Sequence, residues 1–137
     1  MRRTERIRRD EAGLVGKMLV VWLLLVALFG IAAVDTVSIA FTKLRTSDIA
    51  SNAAADAANV WRDSKDKAKA CEAAAASVAG EDPDAHIARA GCVINVQTGE
   101  ATITVRKTAS TMVADKVSFL QKFAKVESTE SAGPTVL

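Results

Sequence analysis

Few side chains in this chain are equipped for chemistry. There are two cysteines, Cys71 and Cys92, a single histidine, His86, and no tyrosine. Two cysteines in an oxidising compartment read as a disulfide; the alternative is a pair of buried free thiols. Together with His86 they fall short of the four ligands of a structural zinc site, and no ligand spacing is present, so no metal or other cofactor is expected. His86 has neither a serine nor a cysteine nucleophile in a recognisable motif beside it, and it reads as a loop histidine. No glycine-rich phosphate loop, metalloprotease helix or nucleophile elbow occurs. The expectation is a non-enzyme with no small-molecule substrate.

The remaining candidate is Asp35, the acid closest to a long apolar run. Residues Met18 to Val34 carry no charge, and Leu14 to Gly16 extend the run across Lys17. About 20 apolar residues at about 1.5 Å each cross a bilayer. Lys17 fits such a span because its ammonium can reach the interface on a long apolar stem. A cleaved signal peptide is the competing reading, since Gly30, Ala32 and Ala33 are small, but the run exceeds an ordinary leader core. At the edge of the span, Asp35 either faces interfacial water or pairs with a basic residue of another subunit. Gly30, Ala32 and Ala33 would allow close helix contact there.

Orientation follows from basic residues. Arg2, Arg3, Arg6, Arg8, Arg9 and Lys17 precede the hydrophobic core, against Lys43 and Arg45 in the twenty residues after it. That asymmetry places the N-terminus in the cytoplasm and the C-terminal part outside, in a single-pass cell-membrane topology. Glu5, Asp10 and Glu11 interrupt the basic head, and the whole chain carries a net charge of only +2, so nucleic acid is not an expected partner; the lipid bilayer is. The expected divisions are a cytoplasmic head at 1–13, a transmembrane helix at 14–34, an extracytoplasmic domain at 35–131 and a loose tail at 132–137.

The elements that would position these residues can be read in order. No Pro or Gly occurs from Ile31 to Ala79, so the helix should leave the membrane unbroken and continue past Val60. Phe41, Leu44, Ile49, Ala53, Ala57 and Val60 read as one apolar stripe with a phase slip near Asp48; Asp35, Phe41, Leu44, Ala53 and Ala57 are its candidate helix-packing or subunit-contact residues. The charged segment Arg62 to Lys69 is a hinge or a solvated face. A second Ala-rich helix from Ala68 to Ala79 should stop at Gly80, and Asp82-Pro83 should form a loop or begin a short turn. Cys92–Val96 and Ala101–Lys107 flank Thr98-Gly99-Glu100 as a β-hairpin. From Ala109 a helical period brings Val113, Val117, Leu120 and Ala124 to one face, and Val126–Ser131 can form a last short strand. The expected class is α+β: a long helix packed with a small hairpin and a C-terminal amphipathic helix. In that topology Cys71 and Cys92 would lie outside and be joined.

The order Asp10-Glu11-Ala12-Gly13, the span, Ala33-Val34-Asp35, Lys43-Leu44-Arg45 and the run Ala53-Ala54-Ala55-Asp56-Ala57-Ala58 resembles the N-terminal region of TadE/TadG-like proteins of the tight-adherence (Flp, type IVb) pilus system. The resemblance covers about residues 10–60, and the rest is similar in architecture. It implies a pilin-like fold and, as partners, other membrane proteins of a pilus or secretion assembly. Ala12 stands before Gly13 where many relatives have arginine, and the fifth residue after Gly13 or Gly16 is Met18 or Val21 rather than glutamate. These departures point to an unprocessed accessory or minor subunit. The alternative is a single-span binding or scaffold protein unrelated to pili.

Overall fold

The computed structural model describes residues 2–114 and 116–134, with side chains from residue 15 onward. The basic head's side chains and residues 135–137 of the expected tail lie outside the described set. The elements are α1 (Arg2–Ser64), α2 (Lys67–Glu81), β1 (His86–Ile94), β2 (Ala101–Thr108), α3 (Gln121–Ala124) and β3 (Lys125–Ala132). The class is α+β, a long apolar helix carrying a second helix and one three-stranded antiparallel sheet in the order β1-β2-β3.

α1 runs without a break, as the absence of proline and the alanine content dictate. Its N-terminal half is bare: every side chain from Val15 to Val34 is exposed, and this half is long and apolar enough to cross a membrane. Its C-terminal half is clad by everything that follows. α1 ends at Lys65, a non-glycine residue in the left-handed region (φ 52°) whose N–H returns to the Trp61 carbonyl at 2.9 Å. Asp66 then caps α2, its carboxylate accepting the N–H of Ala68 and Lys69. The charged stretch is therefore a tight helix-helix turn, not a hinge.

α2 returns antiparallel along α1, with Asn52 donating to Glu81 at 3.0 Å. Ala50, Ala53, Ala54, Ala57 and Ala58 of α1 and Ala70, Ala74 and Val78 of α2 are buried. Methyl-sized side chains let two backbones approach closely, and this is why the core needs so few large residues. Gly80 is not the stop expected of it. The helix continues through it to Glu81, and Asp82 closes the end by donating its N–H to the Val78 carbonyl.

The sheet packs on α1 as well, with Ser47 of α1 donating to Glu130 of β3 at 2.5 Å. Ile103 and Val105 of β2 are fully buried and alternate with Thr102 and Thr104. Thr102 and Thr104 meet Ser131 and Thr129 of β3 through hydroxyl contacts of 2.7 and 2.8 Å. The β1–β2 turn spans Asn95–Glu100; Asn95 Oδ1 accepts from Gln97 and Thr98, and Gly99 takes φ +76°. β1 starts six residues before the expected Cys92 and contains a bulge between Ile87 and Cys92, where Ala90 has φ +58°. β3 realises the last strand expected at 126–131.

The C-terminal amphipathic helix is corrected. Among the described residues of 109–124, only Gln121–Ala124 is helical and the rest is a chain of turns. The reason is closure. β2 and β3 pair up to Thr108 and Lys125, and the Ala109 N–H donates to the Ala124 carbonyl at 2.7 Å. A straight helix over that segment would hold its ends about 22 Å apart. Strand pairing wins, and the helical period survives only as single turns on Val113 and Val117.

Candidate functional site

The junction between the bare and the clad halves of α1 brings the most unusual groups together. Asp35 is only 8 % exposed. Its Oδ1 accepts the Met112 N–H at 2.7 Å, and its Oδ2 accepts those of Val113 and Ala114 at 3.1 and 3.2 Å. One turn on, Ser38 Oγ donates to the Ser110 carbonyl at 2.5 Å. A carboxylate meeting three successive amides acts as an anion in a backbone nest. The partner of Asp35 is thus the 109–124 loop of its own chain, in place of open interfacial water or another subunit's base.

Ala53 and Ala57 are fully buried inside the domain. Phe41 and Leu44 are each 66 % exposed. The single stripe expected from the sequence is two faces of one helix. At about 100° per residue, Leu44 stands about 180° round the axis from Ala53. No phase slip is needed. Val34 and Val37 share the outer face with Phe41 and Leu44, and all four are exposed. The 109–124 segment docks at Asp35 and Ser38, on the side of α1 that Ala53 shares and away from Phe41 and Leu44.

Cys71 and Cys92 are joined, with Sγ atoms 1.95 Å and Cα atoms 5.9 Å apart. The bridge ties α2 to β1, as the sequence reading anticipated.

A second polar cluster was not legible beforehand. Asp82 is buried and pairs with Lys107 of β2, with Arg45 of α1 at 3.8 Å. The Lys107 hydrogen bond, the Asp84 N–H and the two cations hold its carboxyl below the ordinary value, against the opposing effect of burial. It joins the end of α2 to the sheet and to α1. The only signal available was its place beside Pro83, which reads as turn chemistry. Beside it lies an open cavity of 490 Å3, lined by His86, Arg89, Arg106, Lys107, Lys125 and Glu127 among others. Arg106 there is paired with Glu127. No serine or cysteine lines the cavity, and among the described residues no three His, Cys, Asp or Glu side chains converge as metal ligands.

What the junction can do is mechanical. It fixes a folded domain rigidly to the end of an apolar helix and leaves one apolar face of that helix bare. No family model, curated protein or solved structure matches the chain significantly.

Proposed function

We propose that the chain is a non-catalytic accessory or minor pilin-like subunit of a Tad/Flp-type pilus or secretion assembly. α1 anchors it in the cell membrane, the N-terminus is cytoplasmic, and the disulfide-bonded domain stands outside. Its partners are the bilayer and other membrane proteins of the assembly, and contact is made by helix packing. The observation that carries this reading is the bare face Val34, Val37, Phe41 and Leu44, which continues the apolar surface of the span past Asp35 on the side away from the domain. Covering a large apolar side chain is worth about 1.5–3 kcal/mol, so a neighbouring helix on this face would gain several. Contiguous exposed apolar surface of this kind marks contact sites.

The test is co-purification from native membranes. Phe41→Asp and Leu44→Asp should leave membrane insertion and the non-reduced fold intact but lose the partner proteins. Undiminished partner recovery with both variants at normal levels defeats the proposal. Recovery of partners that include a secretion ATPase or a polytopic platform protein would distinguish the pilus reading from an unrelated single-span scaffold.

A further inference from the structure

All four phenylalanines of the chain are exposed: Phe29 within the apolar run, Phe41 just beyond it, and Phe119 and Phe123 on the 109–124 loop. The core is built from alanine, valine, isoleucine and Trp61. The loop exposes Met112, Phe119 and Phe123 at 60, 70 and 55 %, with Val113 and Val117 beside them. Among the described residues this concentration of large apolar side chains is found nowhere else in the domain; away from α1 and this loop, only Val93 and Val96 of the described large apolar residues are exposed.

The loop is shaped by its own turn hydrogen bonds and by those to Asp35. Ala109, Thr111, Ala114 and Ala124 point inward and are buried. Lys116 and Val117 donate to the Val113 carbonyl, Leu120 and Gln121 to that of Val117, and Phe123 to that of Leu120. Much of the backbone is thereby satisfied internally, which a segment entering a low-polarity layer requires. Lys122 lies 5.5 and 5.1 Å from the Phe119 and Phe123 ring centroids. An ammonium beside two aromatic faces is the arrangement of an amphipathic tip, apolar body below and cation at phosphate level. Lys116 and Lys125 are exposed nearby.

Height decides the occupant. Asp35 and Ser38 bind the loop at Ser110 and at Met112–Ala114, and they follow Val34 by one to four residues, or about 1.5–6 Å along the axis. The headgroup layer on each side of a bilayer's hydrocarbon core is about 5–8 Å thick. We propose that the 109–124 loop is a second membrane-binding element, seating Met112, Phe119 and Phe123 in the interfacial layer of the leaflet that α1 leaves, with Lys122 and Lys116 toward phospholipid phosphates. This rests on the reading of α1 as a membrane span. It would fix the tilt of the domain, so that the Phe41–Leu44 face is presented in one direction.

The test uses the full chain in nanodiscs of phospholipid with and without brominated acyl chains, which quench tryptophan on contact. Trp22 lies in the span and Trp61 far from it, so wild type reports the anchor. Phe119→Trp and Phe123→Trp add a reporter at exposed loop positions, where the fold should tolerate it. Val96→Trp adds one on the far turn, which neighbours Gly99 against Trp61, about 39 Å up the axis from Asp35. The expected result is that each loop variant loses one further tryptophan's share of emission to brominated lipid, while Val96→Trp loses no more than wild type. Quenching of Trp22 without added quenching in either loop variant overturns the proposal and leaves the span standing. No quenching of Trp22 overturns the span and the proposal with it. Equal quenching of Val96→Trp also overturns the proposal, because the domain would then lie flat on the bilayer.

Discussion

Removing the Cys71–Cys92 bridge should loosen one element far more than the rest. The perturbation is the double variant Cys71→Ala/Cys92→Ala. The two residues are 21 apart in sequence, and closing a loop of that size stabilises by about 3 kcal/mol in the chain-entropy account. The element it holds, α2, buries only Ala70, Ala74 and Val78. At about 0.8 kcal/mol per methyl and about 1.5–3 for a valine, that attachment comes to about 3–5 kcal/mol. The bridge and the whole apolar attachment of α2 are therefore comparable. The full chain in nanodiscs should lose about 3 kcal/mol in urea. At about 4–8 °C per kcal/mol for a domain of this size, Tm should fall by about 12–24 °C. Hydrogen exchange should localise the change, with α2 amides losing protection before those of β2, whose Ile103 and Val105 are fully buried. Reduced wild type should match the variant. A loss under about 1 kcal/mol, or equal loss of protection in α2 and β2, refutes the reasoning.

Three further outcomes are expected. Gly91→Ala should cost about 2 kcal/mol or more by urea denaturation, because a Cβ there would lie 2.8 Å from the Ala88 and Thr104 carbonyl oxygens, both backbone atoms that cannot step aside. Ala54→Leu should cost about 1–3 kcal/mol in the same assay by overfilling a helix contact with no free space, while Ala40→Leu, on exposed helix, should change stability by less than about 0.5 kcal/mol. Asp82 has a folded-state pKa below its ordinary 3.8, so its contribution is fully present above that pH and is lost as pH falls below it; urea midpoints measured from pH 6 down to pH 3 should drop less steeply in Asp82→Asn than in wild type.

The unbroken α1 was legible because one long stretch contains neither proline nor glycine, and local propensity needs no partner to be read. The hairpin was legible from alternation around a turn sequence, and the cysteine pair from its count and the inferred compartment. The 109–124 segment was misread for the opposite reason. Its helical period is real, but the pairing of Thr108 with Lys125 forces its ends together, and pairing between distant strands leaves no local trace. The faces of α1 were blurred in the same way. Counting at helical spacing finds apolar residues, yet whether Leu44 or Ala53 is covered depends on where α2 and the sheet come to rest. Sequence placed Asp35 at the edge of an apolar run; only the tertiary structure supplied the three amides it holds, 77 to 79 residues away. By itself the sequence determined the anchor-like helix, the strand alternation and the chemistry on offer, all set by neighbours within a turn or two. The closure of the loop, the Asp82 cluster and the division of α1 into a covered and a bare face were decided by tertiary structure, because each depends on contacts whose partners are far apart in the chain.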